Sequence, residues 1–226
     1  MARAKKTRNR PPLTRERALR AAVELADREG LAELSMRRLA AVLGVEAMSL
    51  YHHVPNKEAI LSGMVDLVFA EIDLPPRDGP WQSALRRRMS SMREVLVRHR
   101  WALRILESPR APGAITLAHH DAVLGCLRDA GFSIDLAAHA FAVLDSYVFG
   151  FVHTELTLPM QSPQETQEVA NSILAGIPEG MFPHLVELAR TRVLVPGYAY
   201  ANEFPFGLEL ILDGLERARV AEASRA

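Results

Sequence analysis

The sequence predicts an all-α protein in which an N-terminal three-helix helix-turn-helix domain precedes a larger helical domain. Apolar residues recur at spacings of three and four over most of the chain, which is the period of an amphipathic helix. No segment alternates apolar and polar side chains as a half-buried strand does, and no internal repeat is present. Glycine and proline separate the helical segments, and the larger domain is expected to have about nine to ten helices.

Four helices are predicted before residue 73, each placed by a capping residue or a helix breaker. Thr14 is a good N-cap, Gly30 and Gly44 are expected to end helices, and Pro55 disfavours helical geometry in the residue before it. The predicted segments are Arg17–Glu29, a short helix capped by Ser35, a second short helix from Glu46 or Ala47 to Tyr51, and Lys57–Ile72.

Residues 73–80 contain three prolines and one glycine and are predicted to link these helices to the rest of the chain. The helices predicted beyond this linker are Trp81–His99, Trp101–Leu106, Ala114–Ala130, about 133–156, Glu165–Leu174, Phe182–Leu194 and Glu203–Val220. The helix over 133–156 is apolar on nearly every side, so it must be buried on more than one face. The rest of one chain is not expected to cover it fully.

The net charge of zero conceals two electrically different parts. Residues 1–60 carry 12 Lys and Arg against 7 Asp and Glu, whereas residues 61–226 carry 15 against 20. All three lysines, Lys5, Lys6 and Lys57, lie in the first part. This asymmetry predicts that the N-terminal part meets a polyanion, and the overall balance excludes a general basic coat. Residues 1–12 are interpreted as a disordered basic arm.

Several protein classes are disfavoured by the composition. No uninterrupted run of about 18 apolar residues is present, so no membrane partner is expected. The charged start is followed by no apolar stretch typical of a secretory signal, and the single cysteine, Cys126, allows no internal disulfide; both fit a cytoplasmic protein. The motifs of phosphate-binding loops, zinc proteases and serine hydrolases are missing, so an enzyme is not predicted.

Residues 35–57 are the segment most informative about function, because they predict helix, tight glycine turn and helix at the length of a DNA-reading unit. The second helix exposes small or polar side chains suited to base edges, namely Ala47, Met48, Ser49 and His52. Groups suited to phosphate contacts are Ser35, Arg37, Tyr51, His53 and Lys57, with Arg37 also suited to a guanine. The alternative is an ordinary three-helix bundle with a solvated basic face.

Residues 13–61 resemble the DNA-binding domain of the TetR family of transcriptional repressors. The resemblance is carried by residues 21–25, 34–40 and above all 43–61, which contain the specific pattern Leu-Tyr-x-His-x-x-x-Lys over 50–57. It continues over residues 83–100, 130–133 and 206–216, which are similar to the C-terminal domain of the tetracycline repressor branch. The resemblance implies that residues 62–222 form a ligand-binding and dimerisation domain.

What the resemblance implies is a homodimer that places two recognition helices on successive major grooves of a palindromic double-stranded operator. The helices near 133–156 and 203–220 would pair with their copies in a four-helix interface, which would also cover the apolar helix described above. Interface residues expected from it are Val148, Val152, Leu208, Ile211, Leu212 and Leu215.

The ligand-binding part departs from the tetracycline-binding members of the branch. Where those relatives hold an asparagine, a histidine that binds magnesium, and a glutamine, this chain aligns Arg88, Leu106 and Val123. Leucine cannot ligate a metal, so neither tetracycline–magnesium nor any metal or cofactor is expected. The remaining residues expected to line a pocket for a lipophilic inducer of unknown identity are Met89, Met92, Trp101, Ile105, Leu124, Leu127, Phe141, Leu144, Tyr147 and Phe151.

Two interpretations of these residues stay open. For each pocket residue the alternative is a plain core position, and for the cluster His119, His120 and Asp121 surface or hydrogen-bonded histidines are favoured over a metal site. The chain is predicted to be a repressor released by a small molecule. The alternative is a related DNA-binding regulator that lacks ligand control or acts as an activator.

Overall fold

The computed structural model describes residues 12–106, 108, 111–159 and 162–225, and these ranges contain helices and no strand. The all-α prediction is therefore confirmed. The predicted basic arm, residues 1–12, lies outside the described residues apart from Pro12.

The first four helices are α1 (Arg15–Glu29), α2 (Met36–Leu43), α3 (Ala47–Tyr51) and α4 (Lys57–Phe69). Three of them begin at a polar side chain that accepts a hydrogen bond from a free backbone N–H of the first turn. Thr14 Oγ1 accepts from Arg17 N at 3.1 Å, Ser35 Oγ from Arg38 N at 3.2 Å, and Asn56 Oδ1 from Ala59 N at 2.8 Å. These caps fix where α1, α2 and α4 start.

The later helices are α5 (Trp81–Arg98), α6 (Ala102–Leu106), α7 (Ala114–Asp129), α8 (Ile134–Thr157), α9 (Pro163–Ala175), α10 (Pro183–Leu188) and α11 (Glu203–Ala223). Their order and type agree with the predicted segments. The segment predicted as one helix over Phe182–Leu194 instead begins at Pro183 and widens into a π-helical turn over Ala189–Val193.

Helix α4 joins the two parts of the molecule. It packs against α1 on one side and against α5, α6 and α7 on the other. The contact with α1 is close, because a Cβ at Gly63 would lie 2.6 Å from Leu19 Cδ1. Since α4 runs through the boundary expected after residue 61, the helix-turn-helix unit is continuous with the larger domain.

Helix α8 is the centre of the larger domain and packs against α5, α7 and α11. By length and composition alone it would also pass for a membrane span, with a mean hydropathy of 1.3, yet only 28% of that apolar stretch is buried within one chain. The expectation that one chain would leave this helix incompletely covered is confirmed.

We expect the glycine turn between α2 and α3 to tolerate no side chain without strain. Gly44 has φ 67° and ψ 38°, in the left-handed region, so Gly44→Ala should lower the free energy of unfolding by about 1–2 kcal/mol. Gly125→Ala is the matched control, because that glycine lies within α7 with open space around it and alanine there should be neutral or stabilising by about 0.5–1 kcal/mol. Urea denaturation measures both, and equal effects would contradict this account.

Candidate DNA-binding surface and ligand cavity

Helices α2 and α3 are held at a fixed angle by a small buried cluster. Leu39, Leu43, Leu50 and Val54 are each 5% exposed or less, and the left-handed Gly44 makes the sharp turn between the helices. The sequence positions that face this cluster are apolar, and the remaining positions of α3 point outward. The arrangement matches the helix-turn-helix geometry expected from residues 35–57.

The outward face carries the residues expected to read DNA. On α3 and its C-terminal turn, Met48 is 69% exposed, Ser49 and His52 are exposed, and Ala47 is half-buried. The residues expected at phosphates are all exposed, namely Ser35, Arg37, Tyr51, His53 and Lys57. The structure therefore brings the two sets together on one surface.

Three basic side chains near this surface differ in whether they are free to contact a DNA phosphate. Arg38 bonds Glu29 at 2.9 Å, and this hydrogen bond is the main cause that lowers the pKa of the Glu29 carboxyl. Arg37 and Lys57 form no ion pair with any residue that the structure describes. The two unpaired cations can therefore contact phosphate without first breaking an internal bond.

A cavity of about 260 Å³ lies in the larger domain between α4, the segment from α6 to α7, and α8. Its lining is mostly apolar, with aromatic rings from two helices. The lining residues are Ser62, Val65, Phe69, Ile105, Leu106, Ser108, Ala111, Pro112, Gly113, Thr116, His120, Asp145 and Phe149. Such a lining suits a small lipophilic molecule oriented by a few polar groups.

Of the residues expected to line a ligand pocket, Ile105 and Leu106 line this cavity. Apart from Trp101, the others lie in the surrounding core, away from the lining: Arg88, Met89, Met92, Val123, Leu127, Leu144 and Phe151 are buried, and Leu124, Phe141 and Tyr147 are partly buried. Tyr147 donates its hydroxyl hydrogen bond to the Phe204 carbonyl oxygen at 2.8 Å, joining α8 to α11.

The titratable groups of the cavity wall belong to two residues that the sequence did not single out as ligand contacts. Asp145 and His120 line it, and Arg88, which is 1% exposed, lies within electrostatic range of both. Burial raises the pKa of Asp145 to about 6, and the positive charge of Arg88 opposes that rise. Burial lowers the pKa of His120, so this ring is neutral at physiological pH. One sequence feature points to Asp145: it is the single Asp, Glu, Lys or Arg between Leu136 and Thr154.

A group of hydrogen bonds, called the joint below, connects α1 of the helix-turn-helix domain to the segment between α5 and α6. Asp27 of α1 lies 2.8 Å, through Oδ1, from His99 Nδ1, and the same oxygen accepts from Trp101 Nε1 at 2.6 Å. His99 Nε2 lies 3.3 Å from Glu71 Oε1 but without hydrogen-bond geometry. Trp101, expected in the pocket, is therefore part of this joint and directly precedes α6, whose Ile105 lines the cavity.

The residues expected at a dimer interface lie mostly inside one protomer. Val148, Val152, Leu208, Leu212 and Leu215 are at most 8% exposed, and Ile211 is partly buried. They fill the contact between α8 and α11. The apolar side chains that these two helices expose are Ile134, Val143, Phe206, Leu210 and Val220.

The fold and these two sites define the chain as a helix-turn-helix DNA-binding protein with a second, cavity-containing domain. Residues 18–64 match the profile of the bacterial regulatory proteins of the tetR family, and residues 75–219 match that of the tetracyclin repressor-like C-terminal domain. The chain therefore belongs to the TetR family of DNA-binding transcriptional regulators, in the branch whose C-terminal domain is like that of the tetracycline repressor.

Individual relatives agree with this assignment. An HTH-type transcriptional regulator of Saccharopolyspora erythraea is 39% identical over 67% of this chain and 64% of its own length. The HTH-type transcriptional repressor DrrR1 of Streptomyces coeruleorubidus is 33% identical over 92% of this chain and 78% of its own. The crystal structure of ActR from Streptomyces coelicolor in complex with actinorhodin superposes with a TM-score of 0.76, at 30% identity, over 92% of this chain and 99% of that one.

We expect the joint at Asp27 to contribute measurably to stability. Asp27→Ala removes the acceptor for His99 and Trp101, and leaving two largely buried donors without a partner should lower the free energy of unfolding by about 2–4 kcal/mol. Asp73→Ala is the control, because its ion pair with Arg87 is exposed and should contribute at most about 1 kcal/mol. Chemical denaturation measures both, and a loss at Asp27 no larger than that at Asp73 would show that the joint is not structural.

Proposed function

We propose that the protein is a homodimeric transcriptional repressor that binds a palindromic operator in the cytoplasm and is released by a small lipophilic ligand other than tetracycline–magnesium. The observation that carries the proposal is that one helix, α4, begins beside the exposed recognition surface and ends at an apolar cavity. A molecule that enters the cavity contacts the same rigid element that supports the DNA-reading unit.

On DNA, α3 enters the major groove. Ser49 and His52 reach base edges by hydrogen bonds, whereas Ala47 and Met48 offer only apolar contact, for example to a thymine methyl. Arg37, Lys57 and the hydroxyls of Ser35 and Tyr51 hold the phosphate backbone, together with His53. In the dimer the two recognition helices lie about 34–36 Å apart, one turn of the double helix.

Dimerisation uses the apolar side chains that α8 and α11 leave open to solvent. Phe206 and Leu210 of α11 are 67% and 56% exposed, and Val143 of α8 is 45% exposed. They add to the apolar surface of α8, which one chain covers only in part. Exposed apolar surface of this kind is typical of a protein–protein interaction site. A second copy of the same two helices, packed as a four-helix bundle, removes it from water.

Release by a ligand follows from the cavity and from the relatives. DrrR1 is named a repressor, and ActR has been crystallised with actinorhodin, so a repressor and a ligand-bound member of the family both occur among the proteins similar to this one. Leu106 lines the cavity where tetracycline-binding relatives hold a metal-binding histidine, and its side chain offers no ligand atom. A ligand releases DNA only by binding the DNA-incompetent conformation more tightly.

The proposal is tested by selecting an operator from random duplexes with the purified protein and then screening lipophiles for release. We expect a palindromic site, and loss of fluorescence anisotropy of the labelled operator with at least one neutral lipophile. Tetracycline with Mg²⁺ should not release it. Selection of no site would contradict the DNA-binding proposal, and operator binding that no lipophile reverses would favour a regulator without ligand control.

We expect Lys57→Ala to weaken binding to all duplexes alike. The loss of one phosphate contact should reduce the slope of log affinity against log salt by about one, because one counterion fewer is released. Arg87→Ala removes an equal charge from an exposed site in the larger domain and should leave the slope unchanged. Ser49→Ala and His52→Ala should instead change sequence preference, and identical behaviour of both kinds of variant would contradict the division of roles.

We expect Leu210→Glu to convert the dimer to monomers, because it places a charge in the apolar face that the proposed interface buries. Leu74→Glu is matched in exposure, at 52% against 56%, and lies outside α8 and α11, so it should remain dimeric. Sedimentation equilibrium measures the mass of both. A dimeric Leu210→Glu variant would place the interface elsewhere.

A further inference from the structure

The carboxylate of Asp145 is the unexplained polar group of the cavity. It lies on the apolar helix α8, and its side chain lines the cavity. Among the residues that the structure describes, none forms a hydrogen bond or ion pair with it; its one charged influence is Arg88, at longer range. The residue is only partly exposed, and a carboxylate that has lost part of its hydration without gaining a hydrogen-bond partner is available to a ligand.

The Arg88 guanidinium is also incompletely paired. It is 1% exposed, its Nε has no partner among the described residues, and its Nη1 bonds only the Met92 sulfur at 3.2 Å. A thioether is a weak acceptor, so Arg88 keeps most of its positive charge unsatisfied. The positive charge of Arg88 favours the ionised form of Asp145 without occupying its oxygens.

The remaining ionisable groups around Asp145 do not alter this charge balance. His119 and His120 of α7 are neutral, because burial and the nearby Arg88 both lower their pKa values. Asp66 of α4 is already engaged, accepting hydrogen bonds from Thr116 N at 3.2 Å and Thr116 Oγ1 at 2.9 Å. Among the described residues that line the cavity, the one carboxylate is therefore that of Asp145.

This arrangement favours one chemical class of ligand. Arg88 and Asp145 sum to zero charge, so the pair gives neither a cation nor an anion a net attraction, and a neutral ligand meets no uncompensated charge. An ionised carboxylate accepts hydrogen bonds and donates none, so the ligand must supply the donor. The rings of Phe69 and Phe149 in the lining suit a flat, apolar body.

We propose that the cavity, in its proposed role as the release site, selects a neutral aromatic hydroxyl compound whose O–H donates to the Asp145 carboxylate, with Arg88 as the positioning residue whose positive charge balances this carboxylate. The hydroxyl supplies the hydrogen-bond donor that no described residue gives to Asp145. Protonation of Asp145 competes with this bond. Because burial raises the pKa of Asp145 to about 6, affinity for the hydroxyl is full above that pH and falls as the pH drops through it.

The test compares two probes of the same shape on the full-length protein without DNA, 2-naphthol and 2-methoxynaphthalene, by titration calorimetry. The methyl ether cannot donate a hydrogen bond. At about pH 7.5 we expect 2-naphthol to bind about tenfold or more tightly than the ether, and at about pH 5 this ratio should fall several-fold, because the protonated carboxyl group is a weaker acceptor. Equal affinity at the higher pH, no binding of 2-naphthol at millimolar concentration, or tighter binding of 2-naphthoate or 2-naphthylmethylamine would overturn the proposal.

Single-residue variants test whether Asp145 causes the preference for 2-naphthol and whether Arg88 sets its pH dependence. Asp145→Leu keeps the approximate shape of the side chain but removes both acceptor oxygens, so it should abolish the preference for 2-naphthol over its ether. His120→Phe, which changes the other titratable residue of the wall, should retain the preference. Arg88→Met should move the midpoint of the pH profile upward, because the charge that favours ionisation of Asp145 is gone. A preference lost in His120→Phe and kept in Asp145→Leu, or an unmoved midpoint in Arg88→Met, would contradict these roles.

The proposed function and the assignment of Asp145 can be contradicted by different results. Release of the selected operator by lipophiles that show no hydroxyl preference would leave the proposed function standing and remove the assignment of Asp145. A preference for 2-naphthol with no effect on operator binding would keep the site and remove its proposed role in release.

Discussion

The shared helix α4 is the constraint on which the rest of the structure depends. Its first turn is capped by Asn56 and carries Lys57 at the DNA-reading surface, while its last turns bring Val65 and Phe69 to the cavity. A helix behaves as a rigid rod over this length, so displacement at one end is carried to the other. The joint of Asp27 with His99 and Trp101 adds a second connection, from the segment just before α6 to α1.

The sequence predicted the part of the molecule in which local chemistry decides structure. Caps at Thr14 and Ser35, the turn at Gly44 and the apolar positions of short helices follow from rules that act over a few residues, and the helix-turn-helix unit came out as expected. The exposed face of α3 was also predicted from the helix-turn-helix pattern, because the buried apolar positions leave one face of the helix for the polar residues.

The cavity was predicted less completely, because helical periodicity shows which face is buried and not what it is buried against. Met89, Val123 and Ile105 all lie at the helical spacing of core-facing residues and are all buried. Of these three, only Ile105 lines the cavity. The same limit applies to α8 and α11, where Val148 and Leu212 fill the contact within one protomer and the more exposed Leu210 faces outward. Tertiary packing decides both cases.

The central claim, that cavity and DNA-reading unit are coupled through α4, is tested most directly by filling the cavity and measuring operator affinity. Ser62→Phe introduces a ring from α4 into the cavity, at a residue that is not one of the proposed DNA contacts. The account predicts a variant that stays folded and binds the selected operator about tenfold or more weakly, within the usual range of coupling between sites. A folded variant with unchanged operator affinity would contradict it.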